Sequence, residues 1–323
     1  MKAVIYTEYG PPEVLRLAEV AKPVPKQNEV LIKVRATTVA AAEGPMRRGD
    51  SLSGRLMLGL RRPRKKILGL ELAGEIEAVG SDVTRFKVDD QVYGFTGFRL
   101  GAYAEYACLP ETGSLARKPA TLTYEEAAAV VDGATTALYF LRDKSQIQPG
   151  EKALIIGASG SIGTCAVQLA RHFGGEVTGV CSTVHVELVK SLGANRVVDY
   201  TREDFSQSGE TYDIIFDTVG KSSWSRCKNS LTKNGRYLVT NGNLPANFAR
   251  MGWTAVTNSK KFVFGFSIEK REALNFLREL IEGGKIRPVI DRCYPLEHIV
   301  AAHRLVDTGH KQGNVVITVE ANC

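Results

Sequence analysis

The first third of the chain is a series of short apolar, β-rich stretches, at residues 2–6, 29–39, 70–79 and 91–94, punctuated by Gly and Pro. Such runs predict strands, and the scarcity of helical periods predicts a β-dominated unit ending near Arg117. The character changes after Thr121. Thr123 and Glu126 form a capping-box pair in front of an apolar run that extends through Val131, so a helix is predicted there. Strand and helix then alternate. Residues 152–156 read as a buried strand, followed by a Gly-rich turn and a helix to about His172. Residues 176–181 give the next strand, and a helix stops at Gly193. Residues 196–198, 213–217 and 236–240 are further strands. Repeated βα units predict a parallel sheet with helices on both faces, an α/β fold. Residues 267–282 read as one amphipathic helix ended by Gly283 and Gly284. A helix over 296–306 and a strand over 314–319 close the chain, and pattern alone does not place that last strand.

The length of 323 residues suggests two domains at roughly 150 residues each. No apolar run approaches the ~18 residues that a membrane-spanning helix needs. The N-terminus lacks the long apolar core of a signal peptide. Six cysteines, Cys108, Cys165, Cys181, Cys227, Cys293 and Cys323, form no Cys-x-x-Cys pair. They are expected as reduced thiols of a cytoplasmic protein. The net charge of +7 is local: residues 47–66 carry eight basic side chains against Asp50, and the remainder balances. One basic segment without interleaved aromatics argues against a nucleic-acid-binding face. It is read as a solvated loop, with steering of an anionic ligand or a polyanion or membrane contact as alternatives.

The strongest chemical signal is Gly157-Ala158-Ser159-Gly160-Ser161-Ile162-Gly163, directly after one predicted strand and opening a helix. Glycines there let backbone approach a pyrophosphate, and the helix N-terminus supplies N–H groups and partial positive charge. In a series of βα units this pattern points to a dinucleotide. An NAD site usually has Asp or Glu at the end of the second strand. Here that end reads Cys181-Ser182-Thr183-Val184-His185, and the first acid, Glu187, falls inside the next helix. Hydroxyls without a carboxylate leave room for a 2′-phosphate, so NADP is favoured, with Ser182, Thr183, His185, Lys190 and Tyr200 as candidate contacts. Ser182 reads equally as a plain helix cap.

Nearly the whole chain resembles the zinc-independent quinone oxidoreductase branch of the medium-chain dehydrogenase/reductases. The resemblance is carried by Met1-Lys2-Ala3-Val4, the segments 29–34, 69–80 and 101–106, the loop at 157–163, and residues 189–194, 284–288 and 313–317. It implies a GroES-like β-rich catalytic domain over 1–120 and 288–323, with the C-terminal tail folded back onto it. It implies a Rossmann NADP-binding domain over 121–287, a cleft between the two, and a homodimer; residues 261–266 could supply a pairing edge. Zinc-dependent members place Cys near residue 40 and His near residue 70, where this chain has Ala40 and Leu70, and the structural zinc lobe is missing. The five histidines have no metal-type spacing. No zinc is expected.

The resemblance places Thr135 beside the nicotinamide, and Val219 and Asn241 follow later strands at the C-terminal edge of the sheet, where the ligand should lie; with the loop residues, Thr183 and Asn314 they make up the expected cofactor contacts. The Asn often found at the position of Ala40, and the polar residue at that of Pro45, are absent. That leaves Glu43, Thr38, Arg47, Tyr93 and Tyr103 as polar candidates, with Glu43, Tyr93 and Thr135 as the catalytic set; Glu43 reads also as a first-turn helix acid. Without a Lewis acid, hydride delivery to a conjugated acceptor is favoured over oxidation of a simple alcohol, because the developing charge spreads over an enolate. The expected activity is NADPH-dependent reduction of quinones or α,β-unsaturated carbonyls. The alternatives are a catalytically weak nucleotide-binding protein with a binding or regulatory role, and a zinc-free enzyme of the alcohol dehydrogenase kind.

Overall fold

The computed structural model describes residues 1–257 and 259–319, apart from the side chain of Ser53. Cys323, one of the expected thiols, lies outside the described residues; the other five cysteines are free. The chain divides into two compact units, one of residues 1–132, 268–283 and 288–323, the other of 133–267 and 284–287.

The first unit begins with β1 (Lys2–Ile5) and β2 (Arg16–Glu19), an antiparallel pair. The long β3 (Glu29–Thr38) has one exposed-to-buried pattern only weakly, because both of its faces are covered. Two short helices, α1 (Glu43–Arg48) and α2 (Leu52–Leu58), follow, each stopped at a glycine with positive φ, Gly49 and Gly59. β4 (Glu71–Val79), β5 (Gln91–Phe95), β6 (Tyr106–Pro110) and β7 (Ser114–Arg117) complete the series of strands. α3 (Tyr124–Ala129) starts at the capping box read from the sequence: Glu126 N–H donates to Thr123 Oγ1 at 3.2 Å, and Thr123 N–H to Glu126 Oε2 at 3.0 Å. Both orphan donors of that helix end are thereby satisfied.

α4 (Val131–Leu138) leads into the second unit, whose strands are β8 (Lys152–Ile156), β9 (Glu176–Cys181), β10 (Arg196–Asp199), β11 (Tyr212–Asp217), β12 (Leu231–Val239) and β13 (Lys261–Phe264). They form a wholly parallel sheet in the order β10-β9-β8-β11-β12-β13. The helices are α5 (Ser161–His172), α6 (Val186–Ser191), α7 (Trp224–Cys227) and α8 (Leu244–Thr257). β8, β9 and β11 are buried along nearly their whole length, as strands covered on both faces must be. The order reverses beside β8, and a doubly wound sheet binds its ligand at the carboxyl ends flanking such a point.

The predicted helix over 267–282 begins later, as α9 (Arg271–Glu282), and belongs to the first unit. Tyr93 Oη donates to Leu274 O at 2.6 Å, Ser114 Oγ to Ile268 O at 3.3 Å, and Leu274, Leu277 and Ile281 are buried. The boundary therefore falls after Asp132 and again at Ile268, not at residues 120 and 288 alone. β14 (Ile290–Pro295), α10 (Ile299–Asp307) and β15 (Asn314–Thr318) end the chain. β15 lies between β14 and β3, with Val316 opposite Thr38. The strand that pattern could not place thus completes the first unit's seven-stranded sheet among the described residues. In the same set, no helix is long and apolar enough to cross a membrane.

Candidate functional site

The turn after β8 is built by the chain's own hydrogen bonds. Gly157 adopts φ +77°, and the N–H groups of Gly157 and Ala158 both donate to Val180 O, at 3.1 and 3.0 Å. Gly160 N–H closes the turn on Gly157 O at 3.0 Å, and Gly160 is the N-cap of α5. The helix starts at Ser161, inside the Gly-rich run, so Ser161, Ile162 and Gly163 form its first turn. N–H groups of a first helical turn have no carbonyl inside the helix and point outward with the positive end of the dipole.

The three glycines have different causes. A Cβ on Gly163 would lie 2.0 Å from Gly157 O, so the helix is pressed against the turn. A Cβ on Gly157 would meet Val219 Cγ1 at 2.7 Å. A Cβ on Gly160 would meet only Gly157 O, at 3.4 Å, and its backbone (φ −81°, ψ 179°) suits any residue. Neither packing nor backbone demands glycine at 160. A pyrophosphate on the first-turn N–H groups would lie beside this uncrowded position, so the residues present fit a dinucleotide.

Around this cradle the unit brings together most of the expected contacts. α4 packs against the loop, since a Cβ on Gly133 would touch Ser161 O at 2.8 Å; Thr135, two residues on, is buried. Past β11, buried Asp217 accepts from the N–H groups of Val219, Gly220 and Ser222 at 3.2, 2.7 and 2.9 Å, and from Tyr237 Oη at 3.1 Å. Asn241 Nδ2 donates to Val219 O at 3.1 Å, tying the β11 and β12 loops together. Asp217 shapes the loop that holds Val219 against Gly157. Asp217→Asn puts an amide where three N–H donors converge, and a loss of about 2 kcal/mol is expected in denaturant unfolding.

At the end of β9 the structure corrects the expectation that no carboxylate is near. Asp199, at the end of β10, lies opposite Cys181, and Thr183 Oγ1 donates to its Oδ2 at 2.5 Å. Thr201 donates to Oδ1 from both its N–H and its hydroxyl, at 3.0 and 2.7 Å, and these bonds hold the carboxyl below its usual range. Sequence distance hid this neighbour; parallel pairing of β9 with β10 would have revealed it. Thr183 is thereby engaged, and Ser182 makes no side-chain cap. Lys190 is exposed and paired with Glu187 at 2.9 Å, and Tyr200 is exposed. His185 Nδ1 is buried without a hydrogen-bond partner among the described residues. An open pocket of about 650 Å³ beside this strand end is lined in part by Lys190 and Arg202 but also by Glu187, Asp199 and Glu203. Its acids outnumber its bases, so it is a poor phosphate site.

The first unit overturns two of the three catalytic assignments. Tyr93 is fully buried, and its hydroxyl is spent on Leu274 O at 2.6 Å. Glu43 is also fully buried, inside a polar chain that sequence reasoning did not connect. Arg47 Nη1 lies 2.9 Å from His303 Nδ1, His303 Nε2 lies 3.1 Å from Tyr103 Oη, and Tyr103 Oη donates to Glu43 Oε2 at 2.5 Å. Arg47 Nη2 pairs with Asp307 at 2.6 Å. Since Arg47 can only donate, His303 accepts at Nδ1 and carries its proton on Nε2, which fixes every direction along the chain. Burial pushes the Glu43 carboxyl up to about 7 and, with Arg47 beside it, the His303 imidazole down to about 3. Ala40 N–H also donates to Glu43 Oε2, at 2.8 Å. Glu43 is a structural acid.

A second buried group went unremarked. Glu71 accepts from Asp132 N–H at 2.6 Å and from the Thr38 hydroxyl, and Asp132 pairs with fully buried Lys270 at 2.8 Å. Burial, then the Asp132 charge, raises the Glu71 carboxyl well above its usual range. Thr38, a polar candidate, is thus also internal. Asn314 sits at the start of β15 in this unit, buried, its amide donating to Val289 O at 3.2 Å. Among the described residues no group of three His, Cys, Asp or Glu could hold a metal ion.

Comparison with known proteins agrees with both units. Residues 26–120 match the alcohol dehydrogenase GroES-like domain family, and residues 192–317 match a family described as zinc-binding dehydrogenase. The chain is 32% identical to 2-methylene-furan-3-one reductase of Solanum lycopersicum, over 98% of this chain and 79% of that protein. It is 33% identical to the chloroplastic quinone-oxidoreductase QR1 of Triphysaria versicolor, over 98% of each. The structure of the quinone oxidoreductase from Coxiella burnetii superposes with a TM-score of 0.90 at 28% identity, covering 99% of both chains. That of the Escherichia coli quinone oxidoreductase complexed with NADPH gives 0.83 at 25% identity, covering 99% of this chain and all (100%) of the other.

Proposed function

This chain belongs to the zinc-independent quinone oxidoreductase branch of the medium-chain dehydrogenase/reductases, and on that premise we propose that it reduces quinones or α,β-unsaturated carbonyls with NADPH rather than NADH. The observation that carries the reading is the uncrowded position at Gly160, the N-cap of α5, where nothing in the chain's own packing requires glycine. The turn and that helix end would hold the pyrophosphate. Thr135, which the resemblance places beside the nicotinamide, would orient its ring, with Val219 and Asn241 at the carboxyl edge of the sheet lining the site. When bound, the reduced nicotinamide supplies a hydride.

Charge arriving on a conjugated acceptor is delocalised, so the apolar Ala40 and Leu70 at the places of zinc ligands suit this chemistry. Glu43, Tyr93 and Tyr103 are buried and committed to internal bonds, so water supplies the proton that completes the reduction. Catalysis then rests on positioning.

Preference for NADPH is supported by one feature at the end of β9: the Asp199 carboxylate is occupied by Thr183 and Thr201 and does not serve as a free hook for ribose hydroxyls. An E. coli relative is known in complex with NADPH. The test is loss of reduced-nicotinamide absorbance with an ortho-quinone and with an alkenone, NADPH and NADH in parallel. Faster oxidation of NADPH is expected. Equal rates would refute the cofactor preference, and NADPH binding without turnover of either acceptor would refute the reductase reading.

The chain is further proposed to act as a homodimer. Among the described residues β13 lies at an edge of the parallel sheet, where a strand of a second copy would extend it. A monomeric mass at micromolar concentration would contradict this.

A further inference from the structure

The excess charge of the chain coincides with a cluster of exposed apolar side chains. In and just after α2, Leu52, Leu56, Met57 and Leu60 are 70%, 64%, 52% and 55% exposed. Helical spacing puts Leu52, Leu56 and Met57 on one side of the helix, and Leu60 follows just past its end at Gly59. The opposite side is anchored: Leu58 is buried, Arg55 lies over the Tyr9 ring and donates to Gly49 O, and Tyr9 Oη donates to Gly59 O at 2.6 Å. The outward apolar face is therefore held in place rather than waiting to fold inward.

Directly after it come Arg61, Arg62, Arg64, Lys65 and Lys66, all exposed. None of the five forms an ion pair with a carboxylate among the described residues, although many other surface cations do, such as Arg48 with Asp50 and Arg99 with Glu29. Pro63, between them, is buried and pins the run to the surface.

We propose that residues 52–66 form a docking surface for an anionic lipid bilayer, with the four apolar side chains entering the headgroup region and the five cations lying against acidic headgroups. Aliphatic side chains beside unpaired basic ones are the combination that interfacial binding uses, since acyl burial and surface potential act together. A single-stranded nucleic acid is matched less well, because residues 47–66 contain no aromatic side chain on which a base could stack.

The proposal does not depend on the enzymatic reading, and its test measures no turnover. The full chain is sedimented with vesicles of phosphatidylcholine alone and with vesicles containing one quarter phosphatidylserine, at low and at high salt. Binding is expected only to the phosphatidylserine vesicles, weakening as salt is raised. Replacing the five cations together by Gln is expected to weaken partitioning on the order of 1,000-fold. Leu52, Leu56, Met57 and Leu60 changed together to Ser should lower it by at least about tenfold. Both variants should keep the parent's thermal midpoint, since every altered side chain is exposed. Lack of sedimentation at low salt, equal binding to both vesicle types, or full binding by either folded variant would overturn the proposal. So would retention of an RNA homopolymer by a chain that ignores vesicles.

Discussion

Gly160→Val is expected to weaken NADPH binding roughly 100-fold while leaving the protein folded, and Gly163→Ala to destabilise the fold itself. At 160 the new side chain enters space that only a ligand needs, since a Cβ there meets nothing closer than Gly157 O at 3.4 Å. Overpacking of about 3 kcal/mol against a pyrophosphate corresponds to roughly a 100-fold rise in Kd. The fold loses at most about 1 kcal/mol from the poorer N-cap. At 163, a single methyl group would lie 2.0 Å from Gly157 O and 2.8 Å from Ala158 Cα, both backbone. The helix has to move away from the turn, and a drop of about 5 °C or more in Tm is expected. Nucleotide titration followed by fluorescence, with thermal unfolding of the same samples, separates the two. Wild-type affinity in folded Gly160→Val would make the loop purely structural.

Glu43→Gln is expected to gain about 3 kcal/mol of stability over the wild type as pH rises from 4.5 to 7. The native carboxyl keeps its proton up to about 7, whereas an unfolded one releases it near 4.5. Between those values the native state holds the extra proton, so the residue's contribution is fully present below 4.5 and is lost as pH rises through 7. Gln copies the protonated form: its oxygen can accept from Tyr103 and Ala40, and its nitrogen takes the place of Oε1, which has no partner. His303 acts with the opposite sign. Its imidazole is pushed down to about 3 from an ordinary 6.5, so below 6.5 the unfolded chain binds a proton that the native one does not. Glu71, raised in the same direction, adds to the Glu43 slope, so between 4.5 and 6.5 the wild type should lose stability as pH rises, and Glu43→Gln, with one carboxyl set against one imidazole, should be flatter there. Urea unfolding at a series of pH values reads both, and parallel profiles for the two proteins would show that Glu43 is ionised in the native state.

These two expectations divide the molecule according to what a linear reading could reach. The loop was legible because its causes are local: a strand, a turn that needs Gly157 at positive φ, and a helix end lie within a dozen residues. The Thr123–Glu126 box was legible for the same reason. Long-range neighbours were not. Asp199 is sixteen residues from Thr183, and only strand pairing sets them side by side. Tyr93 and Glu43 looked like polar groups free for chemistry, yet Leu274 and His303, 181 and 260 residues away, claim them directly or through Tyr103.

The sequence by itself therefore determined the order of strands and helices, the nucleotide cradle and the family resemblance, because backbone conformation and apolar periodicity are properties of neighbouring residues. Only the tertiary structure decided where β15 pairs, to which unit α9 belongs and which polar side chains are interior. Burial and hydrogen-bond partnership depend on segments brought together across the whole chain, and a buried polar group with its partners supplied becomes part of the scaffold instead of the site.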